Sequence, residues 1–208
     1  MKKITIIGAS GHGKVVADIA RLIGYKEIAF LDDNTDVKMC GKYNVIGTTD
    51  IIDQIDGDFI VGIGRADVRK RITEKLKEYN KYIVTLIHPN AVLAEDVTIG
   101  SGTVVMAGAV INPGTRIGDG VIINTCSSVD HDCTVDDYVH VAVGAHICGT
   151  VSIGKSTWVG AGAIVSNNIM ICEESVIGAG AVVVNNLNEK GVYIGVPARK
   201  HEDTDTCQ

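Results

Sequence analysis

Two histidines and four aspartates stand within the eighteen residues SSVDHDCTVDDYVHVAVG, from Ser127 to Gly144. His131 lies between Asp130 and Asp132, and a carboxylate beside an imidazole raises the pKa of the ring and can fix which nitrogen carries the proton. These are the properties of a general base. A surface histidine among solvated carboxylates is the alternative, which the residues alone leave open.

The same segment keeps a strict apolar period of six. From Ile87 to Val183, every sixth residue is Ile, Leu or Val, at seventeen consecutive positions. A step of six turns a helix by about 240°, which would scatter these residues over several faces. Residues an even number apart in a strand face the same side. The pattern therefore predicts a parallel β-helix of hexapeptide repeats.

Three hexapeptides per coil would stack residues that are 18 apart. His131 would then stack on Pro113 and Gly149, and His140 on Ile122 and Trp158. The corners between strands need unusual backbone angles, which we expect at Gly100, Gly118, Asn124, Gly154, Gly160 and Gly178.

The stacking also bears on two further kinds of chemistry. His131, His140 and His146 do not stack on one another, so we expect no zinc site from these three histidines. Cys133 could act as a nucleophile, but its place in the repeat favours a packing role.

Composition excludes several classes of function. The chain of 208 residues has a formal charge of −6, without the basic surface typical of nucleic-acid binding. The apolar run after Lys3 is too short for a signal peptide, and no segment reaches the roughly 18 apolar residues of a membrane span. Six cysteines without CxxC spacing are expected to be reduced. We predict a cytoplasmic enzyme or binding protein.

The first 85 residues follow a different pattern. KITIIG predicts a strand that enters a helix through the glycine turn GASGHG, and EIAFLDDN predicts a second strand that ends on Asp32 and Asp33. DFIVGIG leads through a second glycine turn, at Gly62 and Gly64, into the helix ADVRKRITEKLKEY. This order predicts a small Rossmann-like parallel sheet, whose ligands bind at the carboxyl ends of the strands.

The first glycine turn has two interpretations. Backbone amides at a helix N-terminus suit an anion or a polar ligand, and the two aspartates suit ribose or sugar hydroxyls. The spacing of Gly8, Gly11 and Gly13 is GxxGxG rather than GxGxxG, which argues against a nicotinamide dinucleotide. Equally, glycine could serve only the sterics of a sharp turn, with His12 merely exposed.

From Gly8 to Arg199 the chain resembles the hexapeptide-repeat sugar acyltransferases of the sialic acid O-acetyltransferase type. It is most similar to the bacterial enzymes of that family that N-acetylate the 4-amino group of a nucleotide-linked sugar. The resemblance is carried by IIGASGHG, FLDDN, VGIGRADVRKRI, VDHDCTVDDYVHVAVGA and EKGVYIGVPAR.

This resemblance implies a left-handed β-helix that assembles as a homotrimer, with each active site between the helices of adjacent subunits. It implies three regions: a Rossmann-like nucleotide-sugar-binding domain over 1–85, a β-helix acyltransferase domain over 86–187, and a segment over 188–208 that closes the CoA site and ends in a polar tail. The implied partners are acetyl-CoA and a nucleotide-sugar, without metal, nucleic acid or membrane.

The resemblance also assigns roles to residues. His131 is the implied general base and Asp132 the residue that raises its basicity, although the 4-amino-sugar enzymes carry glutamate at that position. The implied acetyl-CoA contacts are His140, Ala161, Ala179 and Arg199. The implied nucleotide-sugar contacts are Ser10, Gly11, His12, Asp32, Asp33 and Gly64.

The implied reaction is direct transfer of acetyl from acetyl-CoA to a substrate such as UDP-4-amino-4,6-dideoxy-N-acetylglucosamine, without a covalent enzyme intermediate. Two alternatives stay open. One is O-acetylation of sialic acid or another sugar, because a His–Asp pair serves a hydroxyl equally well. The other is a trimeric sugar-nucleotide-binding scaffold without catalytic activity.

Overall fold

The computed structural model describes residues 2–202 and divides the chain into two compact units, Met1–Pro89 and Asn90–Gln208. We call them the N-terminal unit and the β-helix unit. The polar tail expected after residue 202, which includes Cys207, lies outside the described residues. Within residues 2–202, neither α-helix combines the length and the apolar character needed to cross a bilayer.

The N-terminal unit is a parallel α/β sheet, as its strand–helix–strand pattern predicts. The strands are paired in the order β3-β4-β2-β1-β5-β6, and only the β3–β4 pair is antiparallel. Its elements are β1 (Lys3–Ile7), α1 (Gly11–Leu22), β2 (Glu27–Leu31), β3 (Met39–Cys40), β4 (Tyr43–Gly47), a 3-10 helix (Thr49–Gln54), β5 (Asp58–Val61), α2 (Ala66–Glu78), β6 (Tyr82–Ile83) and β7 (Leu86–Ile87).

The core of this unit follows from the periodicities of its elements. β1 buries four consecutive residues because helices and neighbouring strands cover both of its faces. Each helix buries one stripe: Val16, Ala17, Ile19 and Ala20 in α1, and Ile72 and Leu76 in α2. The unit thereby presents the carboxyl ends of β1, β2 and β5 along one edge.

The β-helix unit contains sixteen two-residue strands that begin six residues apart. They are β8 to β23: Val92–Leu93, Thr98–Ile99, Val104–Val105, Val110–Ile111, Arg116–Ile117, Ile122–Ile123, Ser128–Val129, Thr134–Val135, His140–Val141, His146–Ile147, Ser152–Ile153, Trp158–Val159, Ile164–Val165, Met170–Ile171, Val176–Ile177 and Val182–Val183. β24 (Val192–Ile194) and β25 (Arg199–Lys200) follow and pair antiparallel.

Three parallel sheets form the sides of this unit. Their orders are β24-β22-β19-β16-β13-β10, β23-β20-β17-β14-β11-β8 and β21-β18-β15-β12-β9. Each strand pairs in register with the strand 18 residues later, as Ile122 does with His140 and His140 with Trp158. The predicted coil of three hexapeptides is therefore confirmed.

The apolar residues of the period point into the coil. All members from Val105 to Val183 are at most 4% exposed, and the small residues between them are equally buried. Leu93 and Ile99 are only partly buried, since they belong to the first coil of the unit and have a neighbouring coil on one side alone. Burial of these aliphatic side chains is the main source of stability of the coil.

The corners contain a residue of positive φ at every sixth position from Gly102 to Gly180, with φ between +54° and +72°. Seven of these residues are not glycine, and Asp132 and Tyr138 are two of them. The prediction for Gly100, Gly118, Asn124, Gly154, Gly160 and Gly178 is therefore wrong, because the left-handed backbone lies two residues after each. The five glycines instead allow close stacking, since a Cβ on any of them would lie 2.5–2.7 Å from an atom of the next coil.

Buried hydroxyls link consecutive coils inside the helix. Thr103, Thr115 and Thr157 are fully buried, and each hydroxyl donates to a carbonyl of the next coil and accepts an N–H from it. The Cys133 thiol has the same arrangement, donating to Cys148 O at 3.2 Å and accepting from Val151 N–H at 3.4 Å. Burial raises the pKa of this thiol, so Cys133 packs as the sequence favours and is a poor nucleophile.

Replacing Thr157 by Val should lower the free energy of unfolding by about 1–3 kcal/mol, because the carbonyl of Cys172 and the N–H of Ser175 lose their buried partner. The measurement is urea unfolding followed by circular dichroism. The matched control is Thr98→Val, an exposed strand threonine that should change stability by less than about 0.5 kcal/mol. Equal effects of the two substitutions would contradict the role given to the buried hydroxyl.

Candidate active site

His131 lies at the corner between β14 and β15, and its ring is paired with the side chain of the next residue. His131 Nδ1 is 2.8 Å from Asp132 Oδ2, and the two side chains are 56% and 66% exposed. A carboxylate can only accept here, so Nδ1 carries a proton and Nε2 is the nitrogen that can accept one. Asp132 occupies a positive-φ corner position, with φ of +58°.

The backbone of this corner is anchored to the preceding coil by the other aspartate. Asp130 Oδ1 accepts hydrogen bonds from the His131 N–H and from Asn112 Nδ2, both at 2.8 Å. The carbonyl of Asp130 accepts from Thr115 Oγ1 at 2.7 Å. Asn112 was missed in the sequence, although adding 18 to its number leads directly to Asp130.

The electrostatics of the corner favour a basic imidazole. The hydrogen bond with Asp132, followed by the charge of Asp130, raises the pKa of His131. The hydrogen bonds from Asn112 and from the His131 N–H lower the pKa of Asp130, which stays ionised. Both carboxylates thus act on the ring in the direction that the sequence predicts.

The neighbouring coils hold the corner by backbone hydrogen bonds. The Asp132 N–H donates to Pro113 O, and the Thr150 N–H donates to His131 O, each at 2.9 Å. His131 therefore stacks between Pro113 and Gly149, as predicted. The Gly149 Cα lies directly against the imidazole, because a Cβ built there would come within 2.6 Å of two ring atoms.

His140, on β16, has a defined tautomer. Its Nε2 lies 3.1 Å from Asn124 Nδ2, while Asn124 Oδ1 accepts from the Thr125 N–H at 2.8 Å. The backbone thus fixes which end of the amide faces the ring, and because an amide NH₂ can only donate, Nε2 of His140 accepts and Nδ1 carries the proton. The ring also stacks on Trp158, with centroids 5.8 Å apart and planes 4° apart.

The third histidine has a separate partner. His146 Nδ1 lies 2.8 Å from Ser128 Oγ, on a different sheet from His140. Over residues 2–202, no three His, Cys, Asp or Glu side chains are grouped in a way that could hold a metal ion.

Ala161 and Ala179 lie at exposed corners one coil apart. The Gly180 N–H donates to Ala161 O at 2.9 Å, so the two alanines are stacked in register. Arg199 is exposed on β25, opposite Ile194 of β24, and its guanidinium donates to Ala198 O at 2.9 Å. A column of small side chains offers room for an extended ligand along the coil.

A pocket of about 240 Å³ opens in the N-terminal unit at the predicted edge of the sheet. Asp33 Oδ1 accepts from the Thr49 N–H at 2.8 Å, and Asp32 Oδ2 accepts from the Ala9 N–H at 2.7 Å. Arg71 of α2, which the sequence reasoning missed among many basic residues, is also part of the wall. The pocket is lined by Ile7, Gly8, Asp32, Asp33, Thr49, Ile63, Val68, Arg71 and Ile72.

The glycine turn beside this pocket serves two purposes. Gly13 must be glycine for packing, because a Cβ would lie 2.1 Å from Gly8 O, and Gly8 has φ of +109°. Gly11 and Gly64 have no atom within 4 Å of an ideal Cβ, so packing does not explain them. Ser10 is the N-cap of α1 and makes no capping bond with its side chain.

His12 is partly buried, so the interpretation of a merely exposed side chain is wrong. Burial, together with the charge of Arg69, lowers the pKa of His12 to about 4, and the ring is neutral at physiological pH. The Arg69 guanidinium is only 1% exposed and donates to Ile63 O and Gly64 O. Arg69 thereby fixes the second glycine turn.

Two known protein families match successive parts of the chain. The PglD N-terminal domain matches residues 3–76, and the bacterial transferase hexapeptide (six repeats) matches residues 84–113. Among curated proteins, the chain is 36% identical over 113 residues to UDP-N-acetylbacillosamine N-acetyltransferase of Bacillus subtilis (strain 168). That alignment covers 51% of this chain and 52% of the Bacillus protein, about half the length of each.

Two solved structures match nearly the whole chain. The acetyltransferase domain of PglB from Neisseria gonorrhoeae FA1090 is 39% identical, with 97% of this chain and 100% of that chain covered and a TM-score of 0.94. The same domain has been solved with acetyl coenzyme A. A variant of perosamine N-acetyltransferase from Caulobacter crescentus, in complex with CoA and GDP-perosamine, is 33% identical over 98% of each chain, with a TM-score of 0.94.

These matches confirm the predicted architecture, an α/β domain followed by a left-handed parallel β-helix of hexapeptide repeats.

Replacing Asp132 by Asn should lower the pKa of His131, because the amide cannot supply the negative charge that favours the protonated ring. The measurement is an NMR titration of the histidine ring protons. Asp53→Asn removes an exposed carboxylate in the 3-10 helix and should leave the titration of His131 unchanged. An unshifted His131 in the Asp132 variant would show that the pair does not form in solution.

Replacing Asn124 by Asp should move the proton of His140 from Nδ1 to Nε2, since the group that faces Nε2 becomes an acceptor. Nitrogen-15 shifts of the imidazole distinguish the two tautomers. Asn185→Asp, an exposed site, is the control. Nε2 already protonated in the unmodified protein would contradict the assignment.

Proposed function

Because the chain belongs to the acetyl-CoA-dependent sugar-nucleotide N-acetyltransferases built of a PglD-type domain and hexapeptide repeats, we propose that it acetylates the 4-amino group of a nucleotide-linked amino sugar. The observation that carries this proposal is the His131–Asp132 pair, which leaves a basic imidazole nitrogen at an exposed corner of the β-helix. A UDP-4-amino-4,6-dideoxy-N-acetylglucosamine is the substrate type we favour.

In the proposed mechanism His131 is the general base. Nε2 accepts a proton from the 4-amino group while the nitrogen lone pair adds to the thioester carbonyl carbon of acetyl-CoA. A backbone N–H stabilises the negative charge that develops on the carbonyl oxygen. Collapse of the tetrahedral intermediate breaks the carbon–sulfur bond, and the CoA thiolate leaves and takes up the proton from the imidazolium. Transfer is direct, without an acetylated enzyme.

Asp132 fixes the ring for this step and makes it more basic. Its hydrogen bond holds the Nδ1–H tautomer, so the acceptor nitrogen is the one directed away from the carboxylate. The imidazolium that forms is stabilised by Asp132 and then by Asp130. Aspartate at this position is one methylene shorter than the glutamate of the enzymes it resembles, and a 2.8 Å hydrogen bond supports an equivalent role.

Acetyl-CoA is proposed to bind along the later coils. His140 offers a neutral ring with a donor at Nδ1, held in place by Asn124 and by the Trp158 indole. The exposed alanines Ala161 and Ala179 leave room for the pantetheine chain and its amides. Arg199 and the neighbouring Lys200 are exposed cations that suit the phosphates of CoA.

The nucleotide-sugar is proposed to bind at the pocket of the N-terminal unit. Asp32 and Asp33 supply carboxylates for ribose or sugar hydroxyls, and Arg71 supplies a cation for a phosphate. The turns with Ser10, Gly11, His12 and Gly64 complete the proposed contacts. The open space at Gly11 and Gly64 supports this assignment, because neither glycine is explained by packing.

We also propose that the chain works as a homotrimer in the cytoplasm, where acetyl-CoA and nucleotide-sugars are made. Apolar side chains on the outside of the β-helix unit support self-association, since Val143 and Trp158 are each 50% exposed and Met170 is 57% exposed. Light scattering coupled to size-exclusion chromatography tests the trimer by its mass.

Replacing His131 by Ala should lower turnover by about 10²- to 10⁴-fold and leave thermal unfolding nearly unchanged, because an exposed base is lost without a buried contact. The assay follows release of the CoA thiol with a colour reagent. His146→Ala, an exposed histidine bonded to Ser128, is the matched control and should keep full turnover. Full turnover in the His131 variant would refute the mechanism.

The same assay distinguishes the alternatives. UDP-, GDP- and dTDP-linked 4-amino sugars and sialic acid are each tested as acceptors. Release with a 4-amino sugar, and none with its 4-hydroxy counterpart, supports N-acetylation. Release only with sialic acid would favour O-acetylation, and release with no acceptor would favour a binding scaffold.

A further inference from the structure

Gly149 stands against the imidazole of His131 from the following coil. A Cβ built on Gly149 would lie 2.6 Å from both Cε1 and Nε2 of the ring and 3.2 Å from Cδ2. Real Cβ atoms do not approach other atoms so closely, so any other residue at 149 would displace the ring. The contact is with the edge that carries the acceptor nitrogen.

The backbone itself does not require glycine at this position. Gly149 is absent from the residues of positive φ, which lie one position later at Thr150. At the fifteen equivalent positions from 95 to 179, in steps of six, glycine occurs only at 149. Asn167 in the coil that follows and Pro113 two coils before carry side chains at the same place in the repeat. The demand for glycine therefore comes from the neighbouring ring.

The preceding coil leaves a similar space for the partner carboxylate. A Cβ on Gly114 would lie 2.5 Å from Asp132 Oδ1. Gly114 has φ of +72°, but non-glycine residues adopt the same angle at seven other corners, so here too the neighbouring side chain adds a steric reason for glycine. The His131–Asp132 pair thus lies between two positions that carry no side chain.

We propose that Gly149 is a positioning residue for acetyl transfer: the missing side chain forms a slot in which the imidazole of His131 lies flat and keeps its hydrogen bond to Asp132. The inference rests on the proposed role of His131 as general base. It adds to that role a residue that acts only through the ring.

The slot controls both the place and the protonation of the ring. The charged groups that face His131 are Asp132 and Asp130, while the adjacent coils present the uncharged residues Asn112, Gly114 and Gly149. The nearby Cys133 thiol is kept neutral by burial. A ring displaced from the slot therefore loses the contact with Asp132, which is the main cause of its raised pKa.

In the variant Gly149→Ala we expect the ring to swing toward solvent, since more than half of it is already exposed. The protein should stay folded, turnover should fall by about 10- to 100-fold because the base is misplaced, and the KM for acetyl-CoA should change by less than about twofold. An NMR titration should show a lower pKa for His131 than in the unmodified protein, because the bond to Asp132 is lost.

Gly24→Ala is the control for strain. Gly24 has φ of +102° and open space around an ideal Cβ, so alanine there should cost stability without changing turnover or the titration of His131. The double variant His131→Ala with Gly149→Ala isolates the ring: once the ring is gone, alanine at 149 should change the residual turnover by less than about twofold.

Two results would overturn the proposal. One is an unchanged pKa of His131 in Gly149→Ala. The other is an equal loss of turnover on adding Gly149→Ala to His131→Ala, which would mean that residue 149 acts independently of the ring. A lowered pKa of His131, in a protein whose unmodified form transfers no acetyl group, would refute the proposed function and leave the slot intact.

Discussion

The register between coils determines every contact of the site. Parallel pairing puts each residue against those 18 positions before and after it, with backbone hydrogen bonds of about 2.9 Å that fix this spacing along the whole unit. Side chains at the corners therefore have predetermined neighbours. Asn112 meets Asp130, and His131 meets Gly149, because of this register and not because of any local sequence.

The scaffold could be predicted from the sequence because a period of six repeated without interruption admits one interpretation. The direction of burial followed from strand alternation, and the stacking of His140 on Trp158 followed from the count of 18. The conformation of the corners could not be predicted from composition. Residues as bulky as Tyr138 adopt positive φ there, so the repeat dictates the backbone angle and overrides the preference of the individual residue.

The site was predicted less completely than the scaffold. The His131–Asp132 pair could be predicted because its members are adjacent in sequence, so no long-range geometry is needed. Residues that act through space escaped: Asn112, Asn124 and Arg71 look like ordinary surface residues until the fold brings them to their partners. His12 is the opposite case, a residue in an open-looking glycine turn whose burial depends on packing that the motif does not reveal.

A solenoid whose contacts all span one fixed distance along the chain can assemble by adding one turn at a time to an existing edge. The corner at His131 receives its anchors from the turn before it, through Asn112, and its slot from the turn after it, at Gly149. The imidazole consequently acquires its final orientation only when three successive turns are in place. The maturation of the base is thus coupled to the growth of the middle of the solenoid, and the raised basicity of one ring reports on the completion of that stretch.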